Sequence, residues 1–175
     1  FNNKALWGGG IYTPSRLVQA KPVLKRVKII SNDASKGGGV FVGGTDTGMV
    51  TFYSCDVWNN TAEVYGGGFY ITRSSNKTEF YDVSIKLNSS ETRGGGIYVY
   101  DAKPRIERSL FEGNASKNGG AIYVDRPNAE LNLINGVLYN NTATERGSAI
   151  FFMNQATANI YNTTIKQHYK YPDAR

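Results

Sequence analysis

Residues 111–124 read FEGNASKNGGAIYV and contain two motifs that recur along the chain. The first is a triplet of small residues, GGA at 119–121, followed by three residues that favour β-strands. The second is an apolar residue followed three positions later by asparagine, here Phe111 and Asn114. Both motifs return at nearly constant intervals, so the repeat is the feature that predicts the fold.

Each motif forms a column of equivalent positions. Six small-residue triplets recur at intervals of 29, 29, 28, 25 and 28 residues. Their last residues are Gly10, Gly39, Gly68, Gly96, Ala121 and Ala149. The asparagines of the second motif are Asn32, Asn60, Asn88, Asn114 and Asn141. A third, apolar column consists of Leu24, Phe52, Phe80, Ile106, Leu133 and Ile160. Each repeat therefore carries three short strand signals and no 3.6-residue apolar period.

Units of this kind cannot bury a face alone, but they can stack into a solenoid. We predict an all-β fold, a right-handed parallel β-helix of about six coils with a period of about 28 residues. Leucine-rich repeats would need a recurring leucine pattern that is absent. We expect residues 1–175 to be one segment of a longer solenoid, with 168–175 a tail or the start of the next coil.

The asparagine column predicts a structural ladder. Stacked coils place each asparagine over the next, so that its amide can bond to its neighbour and to backbone groups in the turn. An asparagine-lined binding groove is the functional alternative. Lys4 and His168 stand where the spacing expects asparagine at the two ends. That loss of the ladder agrees with a segment taken from a longer solenoid.

An aromatic column is the candidate binding site. Strand alternation points the middle residue after each triplet away from the core. These residues are Tyr12, Phe41, Tyr70, Tyr98, Tyr123 and Phe151. We expect the column to be only partly covered by its neighbours, and therefore to dock another protein chain, a second solenoid in self-assembly, or an extracellular glycan. The structural alternative is that stacking of the rings stabilises the solenoid.

Composition excludes several classes of function. The chain has 175 residues and a net charge of +6, yet its basic residues form no stripe along the predicted axis, so we expect no nucleic-acid partner. No run of 18 apolar residues occurs, so this segment is not expected to enter a membrane. A single cysteine, Cys55, and a single histidine exclude a disulfide framework, zinc sites with several thiolates and most histidine-based catalysis. We expect no cofactor and no metal.

Catalysis is not expected either. Parallel β-helices include pectin lyases and polygalacturonases, whose chemistry needs carboxylates gathered on one face. In this chain Asp46, Asp101 and Asp125 fall in successive loops but not at equivalent positions of the coil. No catalytic residue can be named. A carbohydrate-active enzyme fragment and a subunit of a surface filament or stalk remain the alternatives to a protein that only binds a partner.

The pairing of GGA-I at 119–122 with F-x-x-N at 111–114 resembles the repeats of the chlamydial polymorphic membrane proteins. The resemblance covers nearly the whole chain, although four of the six triplets read GGG and only one apolar-x-x-Asn pair begins with phenylalanine. Those proteins are exported β-helices displayed at the cell surface, where they act in adhesion. The resemblance therefore implies an extracellular or cell-surface location and a role in adhesion or structural assembly.

Six Asn-X-Ser/Thr sequons offer sites for glycans if the chain passes through a eukaryotic secretory route. Two of them, at Asn88 and Asn114, belong to the inward ladder, where a sugar has no room. The remaining candidates are Asn59, Asn76, Asn140 and Asn162.

Overall fold

The computed structural model describes residues 2–13, 21–43, 49–73 and 78–166. Regular structure in these ranges consists of 24 β-strands arranged in four parallel sheets of six strands. The predicted parallel β-helix is therefore confirmed. It has six layers, and the chain makes five full turns between a strand of the first layer and the equivalent strand of the sixth. Each coil has four strands rather than the three that the sequence motifs mark. Residues 168–175 lie outside the described ranges.

The four sheets follow one another around each coil. Sheet A contains β1 (Lys4–Trp7), β5 (Asp33–Lys36), β9 (Thr61–Tyr65), β13 (Ser89–Ser90), β17 (Ala115–Asn118) and β21 (Thr142–Arg146). Sheet B contains β2 (Ile11–Thr13), β6 (Val40–Gly43), β10 (Phe69–Thr72), β14 (Ile97–Tyr100), β18 (Ile122–Asp125) and β22 (Ile150–Met153). Sheet C contains β3 (Val23–Lys25), β7 (Val50–Tyr53), β11 (Thr78–Tyr81), β15 (Arg105–Glu107), β19 (Glu130–Ile134) and β23 (Thr157–Tyr161). Sheet D contains β4 (Lys28–Ile30), β8 (Asp56–Trp58), β12 (Ser84–Lys86), β16 (Leu110–Glu112), β20 (Val137–Tyr139) and β24 (Thr164–Lys166).

The core is built from inward-facing columns of apolar residues that pack layer on layer. Phe52 and Phe80 stack with their ring centroids 5.1 Å apart, and Phe69 of sheet B meets both rings edge-on. Each is fully buried, which contributes about 1.5–3 kcal/mol per side chain. Cys55 is a free, buried thiol within the same core, and burial raises its pKa.

At three of the four corners one left-handed residue recurs at the same position of each layer, and in the third to sixth layers the fourth corner also contains such residues. Between sheets C and D the φ angles of these residues lie between 47° and 56°, and the column includes Arg26, Asp82 and Asn162. Between sheets D and A the equivalent residue directly precedes the ladder asparagine. Between sheets A and B it is the first glycine of each triplet, as at Gly94 with φ 66°. A Cβ on Gly94 would lie 2.4 Å from the carbonyl oxygen of Ile97, so this corner requires glycine where the other two accept larger residues, and the triplet marks it.

Sheet A is the element that the sequence motifs do not mark. Its inward residues lie two positions after each ladder asparagine and are small: Ala34, Ala62, Ser90, Ser116 and Ala143. Its strands therefore lack the large apolar residues that identify sheets B, C and D.

The ladder asparagines hydrogen-bond in one continuous column. Asn114 Oδ1 accepts from the backbone and side-chain nitrogens of Asn88, at 3.0 and 3.1 Å. Its Nδ2 donates to the Ile85 carbonyl oxygen and to Asn141 Oδ1, both at 2.9 Å. The same pattern joins Asn32 to Asn60 and Asn60 to Asn88. These amides are inside the coil, which leaves none of them free to line a binding groove.

The expectation that the ladder ends before the first layer was wrong. Lys4 pairs with Asp33, so the residue over Asn32 is Asn3. Asn3 Nδ2 donates to Asn32 Oδ1 at 2.8 Å. The interval in this layer is 29 residues, one longer than the 28 that the asparagine spacing predicts there. His168 lies outside the described residues.

Candidate functional site

The six aromatic residues of the predicted docking column are in register across sheet B. Each pairs with the next along the column, from Tyr12 to Phe151. Successive ring centroids lie 5.0 to 5.3 Å apart. The rings form an apolar cluster separate from the main core, so they do lie on the outer side of the sheet.

The column is not the partly exposed strip that strand alternation predicts. The exposed fractions of Phe41, Tyr70, Tyr98 and Tyr123 are 8%, 8%, 1% and 3%. Each ring packs against its neighbours in the column, and side chains of two flanking rows cover the column further. Tyr12 is 45% exposed. The surface that a ligand can reach is therefore supplied by the flanking rows, with the ring stack as their base.

The first flanking row comes from the ends of the sheet A strands, directly before each glycine triplet. Trp7, Lys36, Tyr65 and Arg93 succeed one another here in register. Trp7 stacks on Phe41 with ring centroids 5.5 Å apart, and Tyr65 stacks on Tyr98 at 4.8 Å. These contacts hold the row over the aromatic column.

The second flanking row comes from the ends of the sheet B strands and the residues that follow them. Thr72, Tyr100 and Asp125 are in register, and Arg73 and Arg126 follow the first and last of them. Together the two rows enclose a groove of about 970 Å³ that runs along the axis of the helix. Its lining combines aromatic, hydroxyl, carboxylate and guanidinium groups.

A buried carboxylate lines the groove at its fifth-layer end. Asp125 is 3% exposed and accepts hydrogen bonds from Tyr98 Oη and Asn154 Nδ2, both at 2.7 Å. Its other neighbour is Arg93, whose Nη1 lies 3.7 Å from Oδ2. Burial, together with the hydrogen bond and negative charge of Asp125, raises the pKa of Tyr98 far above its ordinary value. Tyr98 therefore remains a protonated donor.

Cations at the rim of the groove pack against tyrosine rings. Arg93 Cζ lies 5.4 Å from the ring centroids of both Tyr65 and Tyr123. Arg126 Cζ lies 5.0 Å from the ring centroid of Tyr100. Contacts of this kind orient a guanidinium while leaving its edge free to bind an acceptor.

The comparison with protein families matches residues 2–136 to the model of the right-handed β-helix region, more than three quarters of the chain. The chain belongs to the right-handed β-helix family. This membership agrees with the four parallel sheets and with the 28-residue period. Comparisons with curated proteins and with solved structures gave no match.

The sequon asparagines of this right-handed β-helix differ in how far they are exposed. Asn59 and Asn162 are exposed, and Asn140 is half-buried. Asn88 and Asn114 are fully buried within the ladder. Asn76 lies outside the described residues. A glycan thus has room at corner positions and none at the ladder sequons.

Sequence reasoning placed the aromatic column correctly within the β-helix but missed both flanking rows. A signal for the first row does exist, because long side chains such as Trp7, Lys36 and Arg93 occupy the position directly before the triplet. The second row gives no comparable pattern, since Thr72, Tyr100 and Asp125 differ in type. Asp125 acquires its role only from the side chains that the fold brings around it.

The described ranges contain no group of three or more His, Cys, Asp or Glu side chains placed to hold a metal ion. No helix long and apolar enough to cross a bilayer occurs in them.

Proposed function

We propose that this chain is part of an extracellular or cell-surface β-helix that acts in adhesion, and that it binds a polysaccharide in the sheet B groove without cleaving it. The observation that carries the proposal is the groove itself. It is open along the helix axis and combines tyrosine rings with hydroxyl, carboxylate and guanidinium groups. Aromatic surfaces and convergent polar groups of this kind are typical of binding sites.

The shape of the groove suits a linear polymer. Its lining runs from Trp7 in the first layer to Arg126 in the fifth. Four steps of about 4.8 Å make this length about 19 Å, enough for several sugar units in a row. Sugar hydroxyls both donate and accept hydrogen bonds, and the groove offers them the side chains of Tyr65, Thr72 and Tyr100.

Binding without cleavage is favoured by the carboxylate content of the groove. Most glycoside hydrolases use two carboxyl groups on opposite sides of the scissile bond. Among the described residues that line the groove, Asp125 is the one carboxylate, and both of its oxygens already accept hydrogen bonds. Tyr98 stays protonated because its pKa is raised, so it cannot take up a proton as a general base.

The location outside the cell is supported by the repeat. The GGA-I and F-x-x-N motifs resemble those of the surface-displayed polymorphic membrane proteins, and membership of the right-handed β-helix family agrees with such a role. We therefore assign the groove to attachment, with the chain acting as a rigid support for it.

Binding to a panel of immobilised neutral and acidic polysaccharides tests this function. We expect retention of the chain on at least one polymer, without release of shortened sugars. Thr72→Trp should abolish retention, because the indole would occupy the groove between Gly43 and Tyr100. Thr144→Trp, on an exposed position of sheet A, is the matched control and should bind normally.

Three results would contradict the proposal. Failure to bind any polymer would refute it, and cleavage of a bound polymer would favour the enzyme alternative. Concentration-dependent self-association that Thr72→Trp abolishes would favour a filament subunit.

A further inference from the structure

The lining of the groove carries an excess of positive charge. Four cationic residues, Lys36, Arg73, Arg93 and Arg126, face one carboxylate, that of Asp125. Among the described residues no acidic side chain forms an ion pair with Lys36, Arg73 or Arg126. By contrast, Lys86, Lys103 and Arg105, on other faces, pair with glutamates. The groove therefore contains three cationic side chains that have no acidic partner among the described residues.

These cations recur with a regular spacing on both walls. Lys36 and Arg93 are separated by Tyr65, so they lie two layers apart. Arg73 and Arg126 follow strand ends that are also two layers apart. Two steps of about 4.8 Å give a repeat of about 10 Å on each wall. A tyrosine, Tyr65 or Tyr100, occupies the intermediate layer.

The acidic groups nearby do not cancel this pattern. Asp125 is satisfied by Tyr98, Asn154 and Arg93 and lies below the rim. Asp101 lies between Arg73 and Arg126 in the corner column, but its side chain does not line the groove. Within the lining of the groove, an acidic ligand would thus meet guanidinium and ammonium groups and no exposed carboxylate.

We propose that the ligand of the groove is an acidic polysaccharide that carries one anionic group, a carboxylate or a sulfate, per disaccharide. The inference rests on the proposed polysaccharide-binding function and specifies its ligand. A disaccharide is about as long as the two-layer repeat, so successive anions can meet successive cations along each wall. The sugar without an anion then lies beside the tyrosine of the intermediate layer.

Titration calorimetry with hyaluronan oligosaccharides tests the charge requirement, because hyaluronan has one carboxylate per disaccharide. Its carboxyl-reduced form is the matched neutral ligand, and chondroitin sulfate extends the acidic set. We expect at least one acidic polymer to bind about 10-fold more tightly than its neutralised form, since hydrogen bonds to charged groups are stronger than those between neutral groups. Added salt should weaken this binding.

Single substitutions test which cations bind the anionic groups of the ligand. Arg93→Gln and Arg126→Gln should each reduce affinity for the acidic polymer by about 10-fold and leave binding of the neutral form unchanged. Arg105→Gln, on sheet C, is the matched control and should leave both affinities unchanged. Polygalacturonate, with a carboxylate on every sugar, tests the spacing and should bind no more tightly than the better acidic disaccharide polymer.

The outcomes separate the two proposals. Equal binding of acidic and neutralised polymers overturns the charge requirement but leaves the polysaccharide-binding function intact. Tighter binding of polygalacturonate overturns the two-layer spacing. Absence of binding across all polymers overturns the function and the inference together.

Discussion

Replacing Asn114 by leucine tests how much the buried amide column stabilises the fold. Leucine is similar in length to asparagine but can neither donate nor accept a hydrogen bond. In the wild-type chain Asn114 Oδ1 is the acceptor for the backbone N–H of Asn88 and for one of its side-chain N–H groups. Both donors are fully buried, so water cannot replace the lost acceptor.

The expected loss follows from these two donors. A buried donor without a partner costs about 1–3 kcal/mol, so the free energy of unfolding should fall by about 4 kcal/mol. Loss of the contact from Asn114 Nδ2 to the Ile85 carbonyl adds to this figure. The total is a large part of the 5–15 kcal/mol that is typical of folded domains.

Urea unfolding followed by circular dichroism measures the effect. Asn128→Leu makes the same chemical change on an exposed turn residue, and should alter the free energy of unfolding by less than about 0.5 kcal/mol. If the two variants proved equally stable, the reasoning that the ladder is dry and fully bonded would be refuted.

Further measurements test other parts of the structure. Tyr98→Phe should lower the free energy of unfolding at neutral pH, because it removes the hydroxyl that is bonded to a buried carboxylate. The difference from the wild-type chain should shrink above about pH 10. There the unfolded phenol of the wild type ionises while the folded one, with its raised pKa, does not, so the wild type loses stability and the variant does not. A deficit that is independent of pH would contradict the raised pKa. Gly95→Ala places Cβ 2.4 Å from a backbone oxygen and should cost about 3 kcal/mol in urea unfolding, whereas Gly113→Ala meets a flexible leucine end and should cost about 1–2 kcal/mol. Equal losses would refute the close-packing argument. After secretion from a eukaryotic host, mass spectrometry should find glycans at Asn59 and Asn162 and not at the buried ladder sequons; full occupancy of a ladder sequon would contradict the register.

The fold could be predicted from sequence because its two main signals have strict physical causes. The triplet corner requires glycine at its first position, because a Cβ on Gly94 would lie 2.4 Å from the carbonyl oxygen of Ile97. The ladder requires an amide, because each member uses one oxygen as acceptor and two N–H groups as donors in the same plane. Stacking of like residues on like residues then repeats both signals once per coil.

The groove could not be predicted in the same way, because it depends on contacts between residues of different type. Strand alternation gives the side of sheet B on which Tyr98 lies, but not that Tyr65 covers its ring at 4.8 Å. The hydrogen bond from Tyr98 to Asp125 joins neighbouring layers. Periodicity identifies equivalent positions, but it does not predict contacts between side chains of different columns.

The corners of the coil differ in how far they can change in length. Two residues separate each sheet C strand from the following sheet D strand, and two separate each sheet D strand from the sheet A strand that follows it. The connection from sheet B to sheet C shortens from nine residues after β2 to three after β22. Insertions at this corner would leave the stacking of every layer intact, and the same corner borders the wall that bears Arg73 and Arg126. Ligand preference can therefore diverge between copies of the repeat, or be altered by loop grafting, without a matching cost in folding.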